Sequence, residues 1–342
     1  MRSTQPCEET TDMLRWGILS TANIARAAVI PAIQASTNGE VVAVASRDRD
    51  RADAFARPLA IPRAYGSYAA LLDDPQIDAI YIALPNSLHH AWTLNAVAAG
   101  KHVLCEKPLA MSAAQCLEMA AAAEAAGVTL MEAFMYRFHP QITTAQEIVS
   151  SGALGDVQHM HAAFTFRLTN PANIRLQAEL GGGALMDVGC YCVNALRTFA
   201  GREPVEVQAH AVWHANGVDE RMAGLLRFDG GLTGQFDCAL TLARRETLLA
   251  AGTEATLELP RAYLPGAGDT IVQVRKSYSE VSEQVIAGVD EYRLMVEHFA
   301  DCVRTGQPPR YDAREAACNM AVIEALYRSA RAQGQPVAVP AC

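Results

Sequence analysis

Leu14-Arg15-Trp16-Gly17-Ile18-Leu19, followed by Ser20-Thr21-Ala22-Asn23-Ile24-Ala25, decides the fold: a short apolar run, a turn of small residues and the start of a helical pattern. Ile24, Ala27, Ala28 and Ile30 are spaced for one buried face of a helix over residues 22–35. Pro31 lacks an N–H inside that helix, so a kink is expected there. The alternation continues. Residues 41–45, all small or β-branched, read as a buried strand and residues 49–57 as a short helix. Residues 77–84 are a long apolar strand ended by Pro85, and residues 89–99 a helix stopped by Gly100. Residues 103–105 are the next strand. Ser112 then caps an alanine-rich helix ending at Gly127, and residues 128–131 return to strand. This rhythm predicts a parallel sheet covered on both faces, which right-handed crossovers make a doubly wound Rossmann domain.

The second half reads differently. Residues 157–166 alternate as a strand, and Gly181-Gly182-Gly183 precedes a helix to residue 200. Strand candidates follow at 205–213, 222–228, 232–240, 247–251, 255–259 and 270–274, with turn signals such as Asp229-Gly230-Gly231. Strands without intervening helices argue for a mostly antiparallel sheet. Helices are expected at 291–304 and 313–332. The α/β chain thus divides into a loose tail (1–12), a dinucleotide-binding domain (13–134) and a second α/β domain with an open sheet (135–342).

Composition narrows the function. With 51% hydrophobic and 19% charged residues over 342 positions, the chain is a globular protein of two ordinary domains. Its net charge of −9 and lack of a basic stripe disfavour nucleic acid. No apolar stretch reaches the roughly 18 residues of a membrane span, and the polar N-terminus has no signal-peptide core. Nine scattered cysteines without a C-x-x-C pair read as reduced thiols of a cytoplasmic protein. His159 and His161 fit one strand face and have no nearby acidic or thiol partner, so no metal is expected.

The turn after the first strand has none of the three glycines of G-x-G-x-x-G. Ser20, Thr21, Ala22, Asn23 and Ile24 are nevertheless compatible with a pyrophosphate. Serine and alanine are small, the hydroxyls are donors, and the helix N-terminus offers free N–H groups. At the end of the second strand, Ser46-Arg47 favours the 2′-phosphate of NADP, with NAD as the alternative if Asp48 or Asp50 holds the ribose. Glu106-Lys107-Pro108 closes a buried strand at the carboxyl edge of the sheet, where α/β sheets hold ligands. The segment after the third long strand, with Leu84, Pro85, Asn86 and His89, is expected to line the nicotinamide side.

With these segments in register, the chain resembles the glucose-fructose oxidoreductase / inositol dehydrogenase (Gfo/Idh/MocA) family over nearly its whole length after the tail. The likeness is carried by residues 16–25, by Pro85-Asn86-Ser87-Leu88-His89 and by Glu106-Lys107-Pro108. It continues in Met131-Glu132-Ala133-Phe134-Met135-Tyr136-Arg137-Phe138-His139-Pro140 and in Gly181-Gly182-Gly183-Ala184-Leu185-Met186-Asp187-Val188-Gly189-Cys190-Tyr191. It is most similar to the branch of NADP-dependent D-xylose 1-dehydrogenases, dimeric dihydrodiol dehydrogenases and glucose-fructose oxidoreductase. The resemblance implies a homodimer or homotetramer through the open sheet and a sugar or polyol substrate. It also implies Lys107 beside nicotinamide and substrate, a cis bond before Pro108, and Asp187 and Tyr191 at catalytic positions. Many relatives carry histidine where this chain has Tyr191.

Asp187 and Tyr191 are four apart in the expected helix and share a face. A nearby ammonium would lower the tyrosine pKa from about 10, and Lys107 is expected to supply it. Tyr191 would then exchange a proton with a carbinol or carbonyl oxygen, while Asp187 orients the substrate hydroxyl or the lysine. Arg137 and Arg175 are candidates for binding substrate, with structural ion pairs as the other reading. The function expected is hydride transfer between NADP and a sugar CH–OH group, as in an aldose 1-dehydrogenase of D-xylose type. The alternatives are a ketosugar or 1,5-anhydrofructose-type reductase, a trans-dihydrodiol dehydrogenase, and a redox-inert NADP-binding regulator.

Overall fold

The computed structural model describes residues 13–341, so the expected tail lies outside the described residues. Strands β1 (Leu14–Leu19), β2 (Gly39–Ala45), β3 (Arg63–Tyr65), β4 (Ala79–Ile82), β5 (His102–Cys105) and β6 (Leu130–Glu132) form an all-parallel sheet. Their spatial order is 3-2-1-4-5-6. This is the doubly wound order expected, and its reversal between β1 and β4 creates the crevice where such sheets bind nucleotides. β4 is fully buried, as its unbroken apolar run requires of a strand covered on both faces. The connecting helices are α1 (Ile30–Ala35), α2 (Arg49–Ala56), α3 (Tyr68–Leu72), α4 (Asn86–Ala98) and α5 (Ala113–Ala126). Ser112 Oγ caps α5 by accepting the Gln115 N–H at 3.2 Å, and Gly127 ends it in the left-handed region at φ 65°.

The kink expected at Pro31 is a π-turn over Ala25–Val29. The Ile30 N–H bonds Ala25 O, five residues back, so the ladder is already widened where the proline cannot donate. α4 starts at Asn86, three residues before the expected start, with Pro85 at its N-cap. β3 and α3 have no expected counterpart, being three and five residues long.

The second sheet has nine strands: β7 (Val157–Arg167), β8 (Glu206–Trp213), β9 (Asp219–Arg227), β10 (Thr233–Ala239), β11 (Thr241–Gly252), β12 (Thr256–Leu259), β13 (Thr270–Arg275), β14 (Val281–Ile286) and β15 (Val337–Ala338). They lie in the order 14-13-12-11-7-10-9-8-15, antiparallel except for β7 with β10. Met160, Phe236, Leu248 and Leu257 are buried on one face. Helices α6 (Pro140–Ser150), α7 (Cys190–Ala200) and α9 (Ala313–Arg331) pack against this sheet. On the other face Asp237 pairs with Arg245, and its Oδ1 lies 3.4 Å from His161 Nε2.

Helix α8 (Glu291–Thr305) crosses back to the first sheet. Its Phe299 ring lies 5.1 Å from that of Trp16 in β1, and both are fully buried. Asn38 Nδ2 donates to Glu297 O at 2.9 Å and to Asp301 Oδ1 at 3.0 Å, fixing α8 beside β2. Cys105, Cys116, Cys190, Cys192, Cys238 and Cys302 are free and buried, whereas Cys318 is disulfide-bonded, against the expectation of reduced thiols throughout. Among the described residues no helix is long and apolar enough to cross a membrane.

Candidate active site

A cleft of about 640 Å³ opens between the two sheets. Its floor on the first sheet is the β1 turn, the end of β4 and the end of β5, represented by Ala22, Asn23, Ile24, Leu84, Asn86 and Glu106. Ser20, at the head of the turn, holds φ 106°, a region that favours glycine, so the glycine-free loop retains the backbone shape of a glycine turn. Ser20 Oγ accepts the Ala22 N–H at 3.0 Å. Thr21 Oγ1 accepts from Arg51 Nε at 2.8 Å. Arg51 lies in the first turn of α2, four residues after the exposed Arg47, and Ser46 is buried just past the end of β2. Arg51, which the sequence did not single out, is thus the arginine bonded to the turn.

Lys107 enters the cleft from the end of β5, and the Lys107–Pro108 peptide is cis, as the resemblance implies. Its ammonium donates to the Asp187 carbonyl oxygen at 2.8 Å and lies 3.4 Å from Asp187 Oδ1. Arg175 Nε donates to Asp187 Oδ2 at 2.5 Å, so this carboxylate sits between two cations. Burial works to raise the Asp187 pKa, but Lys107 and Arg175 outweigh it and hold the carboxyl below its ordinary value. For Lys107, burial works toward a lower pKa and the Asp187 carboxylate reverses it, so the lysine stays cationic. Glu106 accepts from Tyr81 Oη at 2.5 Å beneath the lysine. Burial raises its pKa, and Lys107 only partly offsets this.

Asp187 and Tyr191 do not lie in one regular α-helix. Leu185–Gly189 is a π-turn running into α7, a widening that often accompanies functional sites. The two side chains still share the cleft with Lys107. The lysine ammonium lies over the Tyr191 ring, 4.9 Å from its centroid. The expected lowering of the Tyr191 pKa is not observed. Burial pushes the phenol well above its ordinary value, with Tyr292, Glu106, Cys190 and Asp187 adding in the same direction. The hydroxyl's partner is Met135 Sδ at 3.5 Å, a weak acceptor that leaves the proton available.

Of the expected residues, Ser20, Thr21, Ser46, Arg47, Pro85, His89 and Arg137 do not line the cleft, and His89 and Arg137 are engaged elsewhere. His89 is fully buried, with Nδ1 2.9 Å from Pro108 O and Nε2 2.8 Å from Leu84 O, tying the ends of β4 and β5 together from behind. Its position inside α4, rather than at the helix start, turns it inward. Arg137 is also absent from the cleft lining. Its guanidinium pairs with Glu315 at 2.7 Å and stacks 3.4 Å from the Tyr311 ring centroid, so it takes the structural reading. The cleft also contains residues that the sequence did not single out. Met135, Phe164, Phe166 and Leu264 form an apolar wall, and Tyr292 and Arg244 stand at its edge. Arg244 is paired with Glu246. The separation of these residues in sequence left no local signal. Among the described residues no group of three or more His, Cys, Asp or Glu is placed to hold a metal ion.

The comparisons agree with this architecture. Residues 14–134 match the oxidoreductase family with an NAD-binding Rossmann fold, and residues 142–258 match the GFO/IDH/MocA C-terminal domain. The chain is 44% identical over 319 residues to D-xylose 1-dehydrogenase (NADP(+)) 2 of Haloferax volcanii, covering 93% of this chain and 97% of that one. It is 38% identical over 255 residues to the trans-1,2-dihydrobenzene-1,2-diol dehydrogenase of Mus musculus, covering 74% and 76%. Among solved structures, KijD10, a 3-ketoreductase from Actinomadura kijaniata in complex with NADP and TDP-benzene, superposes with a TM-score of 0.89 at 30% identity, covering 93% and 98%.

Proposed function

The chain belongs to the GFO/IDH/MocA oxidoreductase family, and on that premise we propose that it is an NADP-dependent dehydrogenase of an aldose, acting at C1 on a sugar of D-xylose type. The observation that carries this reading is the convergence of Lys107, Asp187 and Tyr191 in one cleft beside the β1 turn. The turn fits a dinucleotide: it has glycine-like geometry at Ser20 and ends in a helix N-terminus, with Arg47 and Arg51 available for a 2′-phosphate. Bound NADP supplies the hydride acceptor, or donor in reverse.

The residues of the chain do the rest. Tyr191 holds its proton and gives it to a carbonyl oxygen in the reductive direction. In the oxidative direction Tyr191, having first lost that proton to solvent, takes the proton of the carbinol oxygen as phenolate. The Lys107 ammonium stabilises negative charge developing on that oxygen. Asp187 keeps Lys107 charged and positioned, and Arg175 keeps Asp187 ionised. The apolar wall of Phe164, Phe166 and Leu264 covers the carbon face of the sugar and excludes water. That wall also favours a second reading, oxidation of a flat cyclic trans-diol.

We further assign the open face of the second sheet, around His161, Asp237 and Arg245, to contact with a second copy of the chain, and the protein to the cytoplasm. The test of function is reduced-nicotinamide absorbance with D-xylose, other aldoses, ketosugars and a trans-dihydrodiol, each with NADP and NAD. Turnover of aldoses with NADP is the result expected. Tight cofactor binding without turnover of any of them would overturn the reading in favour of a regulator.

A further inference from the structure

Behind the glycine turn lies a second cavity of about 340 Å³, walled by Trp213, Met320, Glu324, Tyr327, Arg328 and Arg331. Gly181 and Gly182 line both this cavity and the active-site cleft, so the turn is the partition between them. From the cleft side, Asn86 Nδ2 donates to Gly181 O at 2.8 Å. From the rear, the turn and the helix after it meet one carboxylate. Asp219, the first residue of β9, is fully buried and lines the rear cavity. Its Oδ2 accepts the Leu185 N–H at 2.7 Å, and its Oδ1 accepts the Tyr327 hydroxyl at 2.7 Å.

Leu185 is the first residue of the π-turn that carries Asp187 and leads to Tyr191, so the carboxylate meets an N–H that has no partner within the helix. Gly183 adopts φ 122°, and a Cβ there would collide with Asp219 Oδ1. The third glycine therefore serves the approach of this carboxylate rather than the cleft.

We propose that Asp219, held by Tyr327, is a positioning residue for the proposed dehydrogenase site: as a carboxylate it fixes the start of the helix that sets Asp187 and Tyr191 against Lys107. The inference rests on the dehydrogenase reading for its kinetic consequences and on geometry alone for the anchor. Protonation turns one acceptor into a donor where an N–H and an O–H already donate, so the anchor loosens. Burial pushes the Asp219 pKa up to about 6, with the bonds from Tyr327 and Leu185 offsetting part of the rise. Burial drives Tyr327 on α9 and Cys238 on β10 well above their ordinary values, and Glu324, Arg328 and Arg331 on α9 line the same cavity.

Asp219→Asn and Tyr327→Phe test this, in the full chain with D-xylose and NADP. In Asp219→Asn, kcat should fall at least about tenfold, the scale of a small misplacement, with NADPH binding retained. The acid limb of the wild-type kcat profile near pH 6 should disappear. In Tyr327→Phe, loss of the hydroxyl that lowers the Asp219 pKa should move that limb to higher pH. If Asp219→Asn does not fold, Tyr327→Phe decides the matter, and an unmoved limb overturns the proposal. Amide exchange of residues 181–191, corrected for intrinsic pH dependence, gives a readout free of substrate. It should accelerate in both variants, and unchanged exchange also overturns the anchor. Tyr191→Phe runs in parallel. Wild-type turnover in Tyr191→Phe would sink the dehydrogenase assignment while leaving the exchange result to judge Asp219.

Discussion

The Lys107 ammonium lies over the face of the Tyr191 ring, 4.9 Å from its centroid. The lysine makes its hydrogen bonds to Asp187. The phenol is thus left protonated by burial, a state suited to giving up a proton. Carbonyl reduction should therefore keep an undiminished kcat from pH 7 to 9, whereas oxidation should accelerate with pH throughout that range. Stopped-flow rates in both directions check this. Tyr191→Phe should lower kcat about 10²–10⁴-fold, the usual worth of a positioned acid, with NADPH binding unchanged in a fluorescence titration.

Asp187 sits between two cations, and its removal takes the carboxylate from Arg175 and leaves Lys107 only the backbone carbonyl. Asp187→Ala should destabilise the fold by about 3–5 kcal/mol, as expected for breaking a buried ion pair. The sign with pH follows from its depressed folded pKa. Its contribution is complete above the unfolded value of about 3.9 and is lost as the pH falls through the folded value. Asp187→Asn should therefore show a shallower loss of urea stability than wild type between pH 5 and 3. Equal slopes would refute the linkage.

Arg51 is bonded to Thr21 in the β1 turn, and Arg47 is exposed just past the end of β2. Replacing either by Ala should weaken NADPH about tenfold, the worth of one charge-assisted contact, and leave NADH nearly unaffected. Parallel titrations with the two cofactors measure the difference. Equal losses would place the arginines away from the 2′-phosphate.

Arg137 is committed to Glu315 and Tyr311. Arg137→Met should lower the thermal midpoint, with a loss of about 3–5 kcal/mol, and leave KM for the sugar unchanged in whatever fraction folds. A raised KM with an unchanged midpoint would return Arg137 to the substrate site.

The nucleotide-binding half was legible because strands covered on both faces must be continuous apolar runs, as residues 77–84 and 103–105 are. β14 escaped notice because five of its six residues are exposed, leaving no alternation to read. α6 escaped because His139, not a usual cap, receives the Gln141 N–H at its start. Within the site, Lys107, Asp187 and Tyr191 stood in recognisable motifs. Arg137 and His89 stood in motifs too, but a motif does not fix which way a side chain points. Arg51, Tyr292 and Asp219 reach their places only through tertiary packing, so no local pattern could announce them.

The docking of α8 has a consequence for biosynthesis. Trp16 lies near the start of the chain and Phe299 near its end, yet they share one core. β1 leaves the ribosome long before α8, so its tryptophan lacks its phenylalanine cover until nearly three hundred further residues have been made. The cofactor-binding sheet is therefore begun first and finished last during translation. A chain cut after residue 134 would carry a bare indole face prone to aggregation rather than a self-sufficient nucleotide-binding module.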